Sequence, residues 1–353
     1  MGGQQWRRLI FRFDMEFRDV TQDLKSDLTK VEEAINQNYK SDLPLIPGIS
    51  SYLMSCGGKR IRPMLVLLGA KLCGRETDDT VVKHGCAVEY LHAATLLHDD
   101  VVDETTVRRG KETVNAKWGS DASILVGDFL ISRSILILAE DCERKIIQAL
   151  TEATKVLVEG GILEYTEARN INVTEKHILD VIYRKTSSMI SVSVRLGGLL
   201  ANATEQQETA IISFGDDFGM AFQLMDDALD YDADEALLGK PPGTDFKEGH
   251  VTLPLHHLYN HADRPLKKEI EAFIKNENIT EKDLQYIVGQ MHKYKSIDYT
   301  LNLGRFYIDR AKSHLRKADF PAPRYIEHLD AVTEYIYSRH AGRRDAGVKV
   351  QSL

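Results

Sequence analysis

The chain has 353 residues, 43% hydrophobic and 28% charged, with a formal net charge of −8. This is the composition of a soluble globular protein, long enough for one large domain or two ordinary ones. The acidic balance argues against non-specific nucleic-acid binding, but it leaves room for a local basic cluster that holds an anionic small molecule.

The start, MGGQQWRRLIFRF, is basic and partly apolar, but Asp14 and Glu16 follow at once. It reads as an extension ahead of Met15, not as a signal peptide. Cys56, Cys73, Cys86 and Cys142 form no CxxC pair, which points to reduced, mostly buried thiols in a cytoplasmic protein and away from a zinc site. No apolar run reads as a membrane span.

Proline is absent from Met64 to Lys240. Because proline breaks helix interiors, this gap permits a set of long helices. The periodicity predicts helices near 15–38, 61–73, 79–103, 121–138, 142–168, 174–201, 205–231, 251–260, 280–292, 295–318 and 323–340. Strand signals are weak, with no Asn-Gly or Asp-Gly hairpin turn. The segments from Gly85 to Val102 and from Ile211 to Met225 are apolar on nearly every face, as suits the middle of a bundle. Residues 1–27 form an N-terminal extension and the start of the first helix, 28–340 a single all-α domain, and 341–353 a polar tail. GKPPGTDFKEGH (Gly239–His250) reads as a functional loop, not a domain boundary.

Two acidic clusters carry the chemistry. LLHDDVVDETTVRRG (Leu96–Gly110) places Asp99, Asp100 and Asp103 at the end of an apolar stretch, and FQLMDDALDYDAD repeats the spacing with Asp226, Asp227 and Asp230. Like charges one helical turn apart repel, and carboxylates beside buried surface are costly without a positive partner. Both clusters fall near helix C-termini, where the macrodipole also disfavours them. Facing each other across a bundle, they would form an oxygen-rich cavity suited to Mg²⁺, which takes one or two carboxylates per ion and bridges to substrate phosphates. The plainer reading, a solvated acidic helix end, is weakened by there being two clusters, each preceded by apolar sequence.

Basic residues complement them. CGGKRIRP (Cys56–Pro63) has two glycines, which let backbone N–H groups approach a phosphate, followed by Lys59, Arg60 and Arg62. Arg108 and Arg109 follow the first acidic cluster, Lys185 and Thr186 lie within YRKTSSMIS, and Lys240 opens the Gly/Pro loop. Each alone would be an ordinary surface charge. Together with the acidic clusters they imply two diphosphates around Mg²⁺. His92 lies seven residues before Asp99, on nearly the same helical face.

The set GGKRIRP, HDDVVDETTVRRG, KTSSM, FQLMDDALD and GKPPGTDFKEGHVTLP, in this order between about Leu28 and His340, resembles the trans-isoprenyl (polyprenyl) diphosphate synthases, the head-to-tail prenyltransferases. The resemblance implies an isoprenoid-synthase-type helical bundle around a deep central cavity, usually a homodimer. It implies that Asp99, Asp103, Asp226 and Asp230 hold Mg²⁺ on an allylic diphosphate, with Asp100 and Asp227 supporting. Lys59, Arg62, His92 and Arg109 would bind isopentenyl diphosphate. Arg108, Lys185, Thr186, Gln223 and Lys240 would bind the allylic substrate. In this family a bulky aromatic residue four or five positions before the first aspartate stops the product early. Those positions hold Ala94 and Thr95, with Leu91 one turn below, which implies a long product, octaprenyl to decaprenyl, of the kind used for quinone tails. A stop from Phe129 or Phe222 would instead give a short farnesyl or geranylgeranyl product.

Three positions depart from the family pattern: His250 for a lysine, Glu164 for a glutamine and Gly161 for a glutamate. None removes an expected metal ligand or main cation. Terpene cyclases and head-to-head synthases do not need the GGKRIRP cradle. A metal-dependent diphosphate hydrolase reading His98-Asp99 as an HD pair would draw on His84 and His92. A regulatory subunit would be expected to lack aspartates that are present here.

Overall fold

The computed structural model describes residues 15–141, 144–232, 243–276 and 279–341. The helix expected over 15–38 is two helices, α1 (Phe17–Asp23) and α2 (Lys25–Asn38), joined at Leu24, whose ψ of 4° departs from helical geometry. Then come α3 (Leu45–Ser55), α4 (Ile61–Leu72) and α5 (Asp79–Val102). A two-stranded hairpin, β1 (Val107–Arg108) and β2 (Lys111–Glu112), precedes α6 (Val114–Trp118), α7 (Ser120–Asp141) and α8 (Arg144–Thr166). α9 (Glu175–Ile182) runs through a π-helical turn (Tyr183–Ser187) into α10 (Ser188–Leu200), and α11 (Glu205–Asp232) follows. The remainder is α12 (Thr244–Glu248), α13 (Leu253–His261), α14 (Arg264–Lys275), α15 (Glu281–Lys293), α16 (Ser296–Leu315) and α17 (Arg324–Ala341).

Helix starts follow side-chain chemistry. Asp78, Thr174 and Asp263 each accept a hydrogen bond from the backbone N–H three residues on, and Thr280 with Asp283 forms a capping box. Two helices contain prolines and were not expected. Pro47 lies in the first turn of α3 and Pro265 at the second position of α14, where the missing N–H costs nothing.

The centre of the bundle is α4, α5, α10 and α11. α5 is buried on most faces, including Val88, Tyr90, Leu91, Ala94 and Leu97. A methyl added at Gly69 would lie 2.3 Å from the Val194 carbonyl oxygen, and one at Gly197 would lie 2.2 Å from that of Val66. α4 and α10 therefore cross with their backbones nearly touching, which only glycine permits. This close packing fixes α10, and through it the π turn that enters the cavity.

α7 corrects one expectation. Over Ser120–Glu140 it is long and apolar enough to cross a membrane by length and composition. In the structure Val126, Leu130, Ile137 and Leu138 face the core, while Ile124, Leu125, Ile135 and Leu136 are exposed. Cys73 and Cys86 are buried, and burial pushes both thiols up to about 12. Cys56 is half-buried, and Cys142 lies outside the described residues.

Candidate active site

The walls of a cavity of about 1230 Å³ come from α5, the π turn, α11, the Gly57–Arg62 turn, the β1–β2 hairpin and the segment around α12. On α5, His92, Thr95, Leu96, Asp99, Asp100 and Asp103 all line it. Their spacing is that of one helical face. On α11 the same holds for Phe222, Gln223, Asp226 and Asp227. The π turn presents Lys185 and Thr186. Here the extra residue per turn re-aims side chains, as such bulges often do at functional sites. A methyl at Gly219 would lie 2.4 Å from Ser187 Cα, so α11 is pressed directly against this turn.

The turn before α4 supplies the basic end. Gly57 has φ of 79°, a conformation that favours glycine. Arg109 and Gly110, with φ of 53° and 71°, form the two-residue tip of the hairpin. This is the left-handed pair that such turns require, here Arg-Gly in place of the Asn-Gly signal sought in the sequence. The Arg109 guanidinium donates to the Gly57 carbonyl and packs over Gly58, where an added methyl would meet it at 3.2 Å. Lys59 donates to the Tyr335 hydroxyl on α17 and lies 4.4 Å from the centre of that ring. The Arg62 Nε is buried without a hydrogen-bond partner among the described residues. Burial and the Arg109 charge push the Arg62 pKa down, and burial and the Arg108 charge do the same for Arg109. Burial and these arginines hold the His92 imidazole well below the usual range, so it is neutral near pH 7.

The acidic end shows the opposite imbalance. Burial raises Asp99, and Asp103 and Glu164 add to it, against the pull of Lys185. Asp103 is raised by burial and Glu164, opposed by Lys185 and His250. Asp227 is raised well above its usual range by burial, then by Asp245, Asp226 and Asp230. Burial works against the charge on Lys185, but Glu164 and Asp99 overcome it and lift its pKa. Lys185 donates directly to Glu164 Oε2. A relay runs from the Thr186 hydroxyl to Gln223 Oε1 at 2.8 Å, and from Gln223 Nε2 to Asp227 Oδ1 at 2.8 Å.

Some expected site residues are engaged by protein partners, and others lie off the cavity wall. Asp100 is nearly buried, and its Oδ1 accepts from Arg108 Nε and Nη2, both at 2.8 Å, so this aspartate anchors Arg108. Asp230 is buried behind the wall and accepts from the Asp245 N–H at 3.2 Å. Leu91 and Ala94 are in the apolar core and do not line the cavity, whereas Thr95 does. They share a helical stripe with Ala87 and His98, whose contacts lie on α7: Ser134 donates to the Ala87 carbonyl at 2.8 Å, and His98 Nε2 is 3.2 Å from the Ile124 carbonyl. That contact also separates His98 from Asp99, and His84 is buried with Nδ1 at 2.6 Å from the Thr80 carbonyl. The HD pairing is therefore not assembled. Glu164 and His250 line the cavity, Gly161 does not, and Lys240 lies outside the described residues.

Glu89 and Tyr335 line the cavity as well, and neither was singled out in the sequence. Glu89 had a signal, standing three residues before His92 on the same face. Tyr335 had none, since only tertiary packing brings α17 to Lys59.

Among the described residues no three carboxylate, imidazole or thiolate side chains already converge on one point at metal distance. The donor set still suits a hard divalent ion. Asp99 and Asp103 on one wall and Asp226 and Asp227 on the other offer only oxygen. Mg²⁺ needs only one or two such carboxylates when phosphate and water complete its shell.

Residues 44–291 match the Polyprenyl synthetase family. The octaprenyl diphosphate synthase of Haemophilus influenzae is 39% identical over 298 residues, 83% of this chain and 86% of that protein. The Escherichia coli octaprenyl diphosphate synthase is 36% identical, covering 86% and 93%. Among solved structures, a polyprenyl synthase from Caulobacter crescentus, complexed with calcium and isoprenyl diphosphate, superposes with a TM-score of 0.88 at 33% identity, covering 92% of this chain and 98% of that one. A decaprenyl diphosphate synthase from Rhodobacter capsulatus gives 0.86 at 34% identity, covering 92% and 99%. Two facing acidic helices, a glycine-cradled basic turn and this extent of similarity lead to one conclusion: the chain belongs to the polyprenyl synthetase family.

Proposed function

We propose that this protein condenses isopentenyl diphosphate with an allylic diphosphate, head to tail, to give a long-chain all-trans polyprenyl diphosphate. The observation that carries this reading is the paired charge deficit within one cavity. Burial depresses the pKa values of Arg62 and Arg109 at one end, and it raises those of Asp99, Asp103 and Asp227 at the other. Two diphosphates with divalent cations would relieve both deficits at once.

Asp99, Asp103 and Asp226 would hold Mg²⁺, with Asp227 beside them and Asp230 behind. Bound there, Mg²⁺ supplies Lewis-acid stabilisation of the departing diphosphate. Lys185, Thr186, Gln223 and Arg108 bind the allylic diphosphate and stabilise its developing charge. Lys59, Arg62, Arg109 and neutral His92 orient the isopentenyl diphosphate, whose double bond attacks the allylic cation left when the C–O bond breaks. A proton then leaves the new chain, with the released diphosphate as its acceptor. The apolar wall of Leu96, Leu157, Met189, Ile190 and Phe222 excludes water from the allylic cation.

The octaprenyl and decaprenyl relatives and the small Thr95 below Asp99 support a long product of the quinone-tail type over a short one. The exposed Ile124, Leu125, Ile135 and Leu136 of α7 support a homodimer burying this face, and we read the protein as cytoplasmic. The deciding assay supplies labelled isopentenyl diphosphate, farnesyl diphosphate and Mg²⁺, then dephosphorylates and sizes the products. A ladder ending in a long prenyl alcohol is expected. A short alcohol would refute the length, and diphosphate hydrolysis without incorporation would refute the reaction.

A further inference from the structure

Arg60 behaves unlike its neighbours in the basic turn. Its backbone is left-handed, with φ of 49° and ψ of 39°, a conformation few non-glycine residues adopt. Such outliers persist where surrounding contacts over-determine them. Here those contacts are specific. Arg60 Nη1 donates to Glu89 Oε1 at 2.7 Å, and Nε donates to Glu32 Oε1. Nη2 reaches Glu32 Oε2 at 3.2 Å and the Met54 carbonyl at 3.3 Å. One side chain thus ties the Gly57–Arg62 turn to α2, α3 and α5.

Glu89 explains why this matters. It is a nearly buried carboxylate lining the basic end of the cavity. Its charge helps to keep Arg62 and Arg109 protonated where burial disfavours them. Left uncompensated, it would also repel any diphosphate those arginines hold, because a buried charge without a partner is strongly unfavourable. Arg60, itself part of the cavity lining, supplies the missing compensation with its guanidinium held by Glu32, Glu89 and the Met54 carbonyl.

We propose that Arg60 is a positioning residue for the isopentenyl diphosphate subsite. It neutralises Glu89 and fastens the turn, so that Lys59, Arg62 and Arg109 present net positive charge in a fixed geometry. The proposal rests on the functional reading above, which assigns this end of the cavity to isopentenyl diphosphate.

The test uses the full chain with Arg60→Met, Arg60→Lys, Glu89→Gln and the Arg60→Met/Glu89→Gln pair. Isopentenyl diphosphate binding is measured by calorimetry without an allylic substrate, alongside KM for both substrates, kcat and Tm. Arg60→Met is expected to raise the isopentenyl diphosphate Kd and KM roughly tenfold, leaving kcat and the allylic KM within about twofold. Arg60→Lys and the double variant should recover much of that loss. Glu89→Gln, which leaves the turn fastened through Glu32, should tighten binding and decides the matter if Arg60→Met does not fold. Unchanged binding in Arg60→Met, an equal rise in both KM values, a double variant no better than the single, or weaker binding in Glu89→Gln would each overturn the proposal. Wild-type protein that binds isopentenyl diphosphate but never condenses it would overturn the functional reading alone, since the Kd comparison still judges Arg60. Wild-type protein that does not bind it would overturn both.

Discussion

Asp100 is nearly buried and pairs with a partly exposed Arg108, whose Nε and Nη2 both lie 2.8 Å from one carboxylate oxygen. The middle aspartate of the first acidic cluster is thus engaged by a guanidinium on the same cavity wall that carries Asp99 and Asp103. Asp99→Asn is expected to reduce kcat on the order of a hundredfold or more, because the divalent ion that stabilises the leaving group is lost. Asp100→Asn should instead raise the allylic KM, roughly tenfold or more, by releasing Arg108. Steady-state kinetics across a Mg²⁺ titration separates them: only Asp99→Asn should displace the Mg²⁺ dependence.

Glu164 on α8 and Lys185 on the adjoining π turn pair directly in the cavity wall. Any diphosphate that uses Lys185 must compete with that carboxylate. Glu164→Gln should therefore lower the allylic KM severalfold at saturating Mg²⁺, since a neutral amide gives up the lysine more readily than an ion does. An unchanged or higher allylic KM would mean that Glu164 aids binding, for instance by steering the metal.

The raised carboxylates give a pH signature. A carboxyl whose folded pKa lies above its unfolded value contributes stability below the unfolded pKa and loses it as pH rises through the folded pKa. Asp99, Asp103 and Asp227 are all of this kind. In the absence of metal their contribution should fall as pH rises from the acid side toward neutrality. Mg²⁺ with a diphosphate should restore it, because ligand that binds only the folded state adds stability by mass action. Thermal melts at several pH values, with and without Mg²⁺ and inorganic diphosphate, should show the ligand-induced rise in Tm growing with pH through the raised carboxyl range. A rise independent of pH would remove these aspartates from the metal site.

Much of this was legible in the sequence because the informative residues are local. The two acidic clusters announce themselves by i,i+4 spacing after apolar runs, and the long helices by the absence of proline. What escaped depended on distant partners or on proline placed where it does no harm. α14 begins Asp263-Arg264-Pro265, which is a helix start and not a break. The Arg109-Gly110 hairpin uses an arginine in a left-handed conformation that turn statistics do not favour. Tyr335 meets Lys59 across 276 residues of chain. The resemblance already set Asp100 apart from Asp99 as a supporting residue, but its partner Arg108 appears only in the fold.

Product length gives the last prediction, and here the structure redirects the sequence reading. Thr95 lines the cavity below Asp99, whereas Ala94 is fully buried on the stripe that faces α7. In an α-helix a residue five positions back points about 140° away from Asp99, and one four back only about 40°. Thr95→Phe should therefore obstruct the growing chain and shorten the final alcohol, with little loss of stability. Ala94→Phe should overpack the α5–α7 contact at a cost of about 1–3 kcal/mol, visible as a lower Tm, and have the smaller effect on product length. Chromatographic sizing of both products beside their melting curves decides between the two positions. A short product from Ala94→Phe at unchanged Tm would place the floor of the tunnel between α5 and α7.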